Sequence, residues 1–124
     1  MEEKVLIIDF GSQYTQLIAR RLRELNVYSE IHPCTHIPQP DADTKAVILS
    51  GSPYSVNDGI LPDVDLSMIR GKYPLLGVCY GAQMLARQNG GNVAASKIRE
   101  YGRAKLKTID DNILFRDIDA GSQV

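Results

Sequence analysis

A cysteine between two glycines is the part of the sequence best suited to chemistry. The segment Gly77-Val78-Cys79-Tyr80-Gly81 follows an apolar run and precedes a stretch with helical character. A sharp strand-to-helix turn of this kind pushes its central side chain into a cleft. The helix N-terminus favours the thiolate, the nucleophilic form of cysteine. We predict that Cys79 is a nucleophile and that the backbone N–H of Tyr80 stabilises an oxyanion. The alternative, a small thiol at a strand end or in a loop, is our interpretation of Cys34.

Two further turns follow apolar runs. Ser50-Gly51-Ser52-Pro53 is by itself an ordinary turn. Beside a cysteine elbow, its backbone N–H groups could supply the second donor that an oxyanion hole needs. Asp9-Phe10-Gly11-Ser12-Gln13 resembles a phosphate-binding loop only weakly, because it lacks the glycine spacing of such loops. A tight turn with Ser12 as the helix N-cap is the favoured interpretation.

A cysteine nucleophile needs a general base, normally a histidine, and a group that orients this base. The two histidines, His32 and His36, lie in or beside a proline-rich segment near Cys34 and have no evident carboxylate partner. We expect neither histidine to serve Cys79. The chain by itself is therefore predicted to lack turnover.

The predicted elements place these turns at one edge of a sheet. Continuous apolar runs at 5–8, 46–49 and 74–78 are typical of strands buried on both faces of a parallel sheet, and 27–31 predicts another strand. One helix is predicted to follow Ser12 and another to span about 82–88. Short strands are expected at 93–94 and 106–109. This order predicts an α/β fold, with three layers and a doubly wound, mostly parallel sheet. The apolar positions of the first helix are Tyr14, Leu17, Ile18, Leu22 and Leu25.

Length and composition exclude several classes of protein. The 124 residues fit one domain, and 44% hydrophobic with 23% charged residues excludes intrinsic disorder. A net charge of -1 argues against a polyanion binder, so a basic stretch near the end is interpreted as a solvated face or a docking surface for an acidic protein. Two cysteines without CxxC spacing predict no metal site and no disulfide framework. Without a signal peptide or membrane span, we expect a soluble, cytoplasmic protein. The basic residues are Lys97, Arg99, Arg103, Lys105 and Lys107.

Three segments resemble a known family. Gly77 to Gln83 is similar to the nucleophile motif of the class I, triad-type glutamine amidotransferases, and Glu100-Tyr101-Gly102 matches a short downstream segment. Within that family, the opening VLIIDFGSQYTQLIARR (5–21) resembles glutamine-hydrolysing GMP synthases rather than the glutaminases of anthranilate synthase or carbamoyl-phosphate synthetase. The resemblance covers the whole chain and implies the flavodoxin-like fold of the family.

The resemblance implies a role for each matching residue. Cys79 would attack the side-chain amide of glutamine, form a glutamyl thioester and release ammonia. The backbone N–H groups of Ser52 and Tyr80 would hold the oxyanion, while Gly51 would shape the turn and Gln83 would frame the glutamine site. The ammonia would pass to a C-terminal synthetase portion, which converts XMP to GMP with ATP and Mg²⁺. The parent enzyme would thus be an amide-transferring ligase and a homodimer, with no cofactor in this domain.

Two departures from the family pattern bear on this implied function. Many relatives have SGGP where this chain has SGSP (50–53), which matters if Ser52 cannot adopt the required backbone angles. The partner His and Glu, the ATP-binding portion and the dimerisation portion have no counterpart in 1–124, so we expect the N-terminal part of a glutaminase domain, truncated and inactive alone. The alternatives are a non-enzymatic binding or regulatory domain of this fold, the glutaminase of another amidotransferase, and a thiol hydrolase acting on another amide.

Overall fold

The computed structural model describes residues 3–54, 59, 64–94, 114, 116–117 and 120–121. The chain forms two compact units, Met1–Val93 and Ala94–Val124, and every helix and strand discussed below lies in the first unit. The strand predicted at 106–109, the basic stretch and the Glu100–Gly102 match lie outside the described residues. Among the residues described, no helix is both long and apolar enough to cross a bilayer.

A parallel sheet of four strands forms the centre of the first unit. The strands are β1 (Lys4–Asp9), β2 (Tyr28–Pro33), β3 (Thr44–Leu49) and β4 (Leu75–Gly77), in the spatial order β2-β1-β3-β4. All three pairings are parallel. The chain leaves β1 toward β2 on one side and continues toward β3 and β4 on the other side. This reversal is the switch point of a doubly wound sheet, and it confirms the α/β class.

The central strand β1 is buried on both faces, as its continuous apolar run predicts. Leu6 and Ile8 are at most 1% exposed and share a core cluster with Tyr80 and Met84. Ile7 alternates with them, so it points to the opposite face of the sheet, and it is 0% exposed. A strand with no polar alternation can therefore only sit between two covering layers.

The first helix, α1 (Thr15–Glu24), packs against β1 and β2 with a face that only partly matches the predicted one. Its buried residues are Thr15 and Ala19, whereas three of the predicted core positions are 49–72% exposed. Two other predicted positions, Ile18 and Leu22, are half-buried and share the helix face of Thr15 and Ala19. The prediction was thus wrong for Tyr14, Leu17 and Leu25.

Two other local predictions need correction. Ser12 does not cap α1, because the helix begins at Thr15 and its N-cap position, Tyr14, makes no side-chain cap hydrogen bond. The Ser12 hydroxyl instead accepts the N–H of Tyr14 at 3.0 Å and closes the turn before the helix. No strand forms at Val93-Ala94. Val93 packs against the core as part of an irregular segment that follows the second helix, α2 (Tyr80–Gln88).

Candidate active site

Turns that follow β1, β3 and β4 meet at the carboxyl edge of the sheet. Gly51 of the β3 turn lies between the other two. A Cβ built on Gly51 would lie 3.4 Å from the Cβ of Cys79 and 3.8 Å from the Oγ of Ser12. The edge of the sheet beside a switch point is where α/β folds bind ligands. The three segments singled out in the sequence are therefore brought together there.

Cys79 occupies a strained turn between β4 and α2. Its backbone has φ 49° and ψ -106°, an arrangement that residues with a Cβ rarely adopt. Strain of this kind costs about 1–3 kcal/mol and persists only where neighbouring contacts enforce it. Here Val78 donates its N–H to the carbonyl of Leu49 at 2.9 Å, and Gln83 donates its N–H to the carbonyl of Cys79 at 3.0 Å. Cys79 is exposed, which is the geometry of a nucleophile elbow.

The two glycines that flank this turn are required by close approach. A Cβ on Gly77 would lie 2.7 Å from the backbone nitrogen of Ala82, and a Cβ on Gly81 would lie 2.6 Å from the Cβ of Leu49. Neither position has room for any side chain, because the obstructing atoms belong mainly to the backbone of α2 and to β3. The spacing of the two glycines is therefore a consequence of the close packing of α2 against β3 and β4 around Cys79.

The serine that departs from the family pattern fits its turn. Among the residues described, the non-glycine positions with positive φ are Asn26, Cys79 and Asp117, so Ser52 does not use the left-handed conformation that favours glycine. Its hydroxyl accepts the N–H of Tyr54 at 3.2 Å. Ser52 is thus compatible with the turn, and its role as an oxyanion donor stays a prediction.

Tyr80 and Gln83 both lie in the first turn of α2, beside Cys79. The Tyr80 side chain is 4% exposed, and its ring lies 5.3 Å from that of Phe10, which couples the β1 turn to the start of the helix. Its backbone N–H lies at the helix N-terminus, where an anion is stabilised. Gln83 is half-buried. Their roles as oxyanion donor and glutamine-site residue stay predictions.

Neither histidine lies beside Cys79 in the sheet. His32 is on β2, three strand positions from β4, which corresponds to about 14 Å at the usual strand spacing. Its Nε2 lies 3.2 Å from the Oε1 of Glu30, and this pairing holds the pKa of Glu30 below its ordinary value. His36 is exposed in the turn that follows β2. The described part of the chain therefore offers Cys79 no histidine at the end of a neighbouring strand.

The second cysteine occupies a different environment. Cys34 is half-buried and packs against the hydrophobic core. Burial raises the pKa of the Cys34 thiol above its ordinary value of 9.0, and the nearby Asp9 carboxylate adds to the increase. A raised pKa keeps this thiol protonated at neutral pH. Cys34 is therefore poorly suited to nucleophilic chemistry.

This contrast predicts selective alkylation. At pH 7.5, iodoacetamide should modify the exposed Cys79 about ten times faster than Cys34, because only the thiolate reacts and Cys34 is both shielded and protonated. As pH rises past 9, the thiolate fraction of Cys34 grows and its labelling rate should climb. Mass spectrometry of peptides from timed samples measures both rates, with C34A and C79A as single-thiol controls. Equal rates at pH 7.5 would contradict the assignment.

Two polar residues of these segments, whose roles the sequence analysis missed, organise the turns. The Oδ1 of Asp9 accepts the N–H of Gly11 at 2.8 Å and the hydroxyl of Thr15 at 2.9 Å, which ties the β1 turn to the start of α1. Ser50, at the end of β3, is 0% exposed and bonds to both neighbouring turns. A polar residue directly after an apolar run marks each position in the sequence, but it does not identify the bonding partner.

An exposed cysteine on a strained strand-to-helix turn, one strand from the switch point of a doubly wound parallel sheet, defines a class of α/β protein with a thiol at its ligand-binding edge. Comparison with protein families agrees with this geometry. Residues 6–124 match the model of the family described as "Glutamine amidotransferase class-I". The chain belongs to this family, and the implied fold is confirmed.

Individual relatives carry a more specific name. The chain is 62% identical over 127 residues to the "GMP synthase [glutamine-hydrolyzing]" of Cytophaga hutchinsonii and 57% identical over 125 residues to that of Bacteroides fragilis. Each match covers 100% of the chain and 25% of the relative, so the chain spans about a quarter of their length. The solved structure of a protein from Thermoplasma acidophilum, described as a GMP synthase subunit, superposes with a TM-score of 0.76 at 26% identity, covering 100% of the chain and 63% of that protein.

Proposed function

We propose that this chain is the nucleophile-bearing part of the glutaminase domain of a GMP synthase. The observation that carries the proposal is the Cys79 elbow, exposed and facing Gly51, in a chain more than half identical to proteins named for glutamine-dependent GMP synthesis. In the full-length enzyme, a synthetase portion receives ammonia and converts XMP to GMP with ATP and Mg²⁺. The enzyme is proposed to be a cytoplasmic homodimeric ligase, with no cofactor in the glutaminase domain.

The proposed reaction uses Cys79 as a covalent nucleophile. Its thiolate attacks the side-chain amide carbon of glutamine and forms a C–S bond, and the carbonyl electrons move onto oxygen. The N–H groups of Ser52 and Tyr80 stabilise that oxyanion. Its collapse breaks the C–N bond, and a proton from the general acid lets nitrogen leave as ammonia. Water then cleaves the glutamyl thioester to glutamate and restores the thiol.

The general base is proposed to come from outside the described residues. His32 and His36 lie on or after β2, away from Cys79, and the family resemblance implies a His and Glu pair in a later segment. Because His32 and His36 are the two histidines of this sequence, residues 1–124 alone are predicted to be inactive. A polypeptide of these residues should form the elbow and react with electrophiles, yet show no steady release of ammonia from glutamine.

Affinity labelling tests the proposal on the chain itself. A chloromethyl ketone analogue of glutamine should alkylate Cys79, forming a thioether and releasing chloride, at least about ten times faster than it alkylates Cys34. Free glutamine should slow the reaction, and asparagine should not. Equal, slow labelling of both thiols would contradict a glutamine site and would favour a non-enzymatic domain of this fold. Equal protection by the two amides would instead indicate a hydrolase for another amide.

A further inference from the structure

Ser50 is a buried polar residue at the centre of the three turns. It is 0% exposed, and each of its polar atoms is hydrogen-bonded. Its hydroxyl accepts the N–H of Phe10 at 2.9 Å and donates to the carbonyl of Gly51 at 2.9 Å. Its own carbonyl accepts the N–H of Gly81 at 3.2 Å. One residue therefore links the β1 turn, the β3 turn and the start of α2.

The bond to the Gly51 carbonyl has a consequence for the next amide. The carbonyl of Gly51 and the N–H of Ser52 belong to one planar peptide unit, in which they point in opposite directions. Whatever fixes the carbonyl also fixes the N–H. The Ser50 hydroxyl thus determines the direction of the donor proposed for the oxyanion.

The peptide needs this restraint because glycine precedes it. Position 51 carries no side chain that could limit backbone rotation, although a Cβ there would make only an ordinary contact of 3.4 Å with the Cβ of Cys79. Glycine has a wide choice of backbone angles, and the peptide that follows Gly51 rotates easily unless it is held. Ser50 supplies the hydrogen bond from the preceding residue, and the Phe10 N–H holds the hydroxyl itself in place.

We infer that Ser50 is a positioning residue of the oxyanion hole, which orients the N–H of Ser52 toward the reacting carbonyl of glutamine. The inference rests on the function proposed above. Ser50 touches neither substrate nor nucleophile in this role, since its side chain is enclosed between the turns. It acts through the Gly51–Ser52 peptide.

S50A in the full-length enzyme tests the inference. The expected result is a fall in kcat for glutamine hydrolysis of about 10- to 100-fold, somewhat less than the loss of an oxyanion donor outright. The KM for glutamine should stay within about twofold, because the donor matters chiefly in the transition state. The rate of Cys79 alkylation by iodoacetamide should not change, because that reaction needs the thiolate alone. S50T, which retains the hydroxyl, should recover most of the kcat.

Thr44 provides a matched control at the opposite end of the same strand. It is 4% exposed, and its hydroxyl accepts the N–H of Asp41 and donates to the Asp41 carboxylate. T44V should lower the urea midpoint about as much as S50A does and leave kcat unchanged. If S50A and T44V have the same kcat, or if S50A changes KM and alkylation together with kcat, the inference is wrong. If the wild-type enzyme does not hydrolyse glutamine, the proposed function fails instead.

Discussion

C79A should abolish glutamine hydrolysis in the full-length enzyme, with kcat falling by about 10⁴-fold or more. No other described thiol can substitute, because Cys34 is half-buried with a raised pKa and belongs to the turn after β2. Removing the thiol also deletes no contact on which the fold depends, since Cys79 is exposed. The fold should therefore survive while the covalent step is lost. Ammonia release from glutamine, measured in a coupled assay, checks this result.

Two controls give this prediction its specificity. C34A should hydrolyse glutamine at close to the wild-type rate, because Cys34 packs in the core away from the elbow. GMP formation from XMP and ATP by C79A should return when an ammonium salt replaces glutamine, because only the source of ammonia has been removed. Residual glutamine hydrolysis above about 1% of the wild-type rate would show that Cys79 is not the nucleophile.

The fold could be read from the sequence wherever burial is dictated by a continuous run. The strands at 5–8, 46–49 and 74–78 were predicted from apolar runs without alternation, and β1, β3 and β4 occupy them. The face of α1 could not be read in this way. Its large apolar residues recur at helical spacing, yet its fully buried residues are the small Thr15 and Ala19, with Ile18 and Leu22 half-buried beside them.

The candidate site, like the fold, could be predicted from the sequence only in part. The elbow was predictable because its cause is local: two glycines, Gly77 and Gly81, stand where strand and helix meet. The part played by Ser50 was not predictable, because its hydroxyl bonds to Phe10, 40 positions earlier in the chain. Pairing over that distance is fixed by the order of strands, and a single sequence does not encode that order in any short pattern.

The second large effect is expected from G81A. The new Cβ would lie 2.6 Å from the Cβ of Leu49 and 2.7 Å from its carbonyl oxygen, distances at which some atom must move. Leu49 is 0% exposed in the central sheet, so α2 would have to shift and weaken the bond from the Gly81 N–H to Ser50. Overpacking of this kind costs about 3 kcal/mol of unfolding free energy. Urea denaturation followed by circular dichroism measures the loss.

G90A separates this clash from the general cost of replacing glycine. Gly90 has φ +84° and no atom within 4 Å of a built Cβ, so alanine there meets backbone strain alone, worth about 1 kcal/mol. Gly81 has no positive φ, and its cost is steric. The elbow geometry therefore requires G81A to lose clearly more stability than G90A. G81A should also slow the labelling of Cys79 by iodoacetamide or weaken the protection of Cys79 by glutamine. Equal losses in both variants, with Cys79 chemistry intact, would mean that α2 and β3 do not meet as closely as the 2.6 Å approach demands.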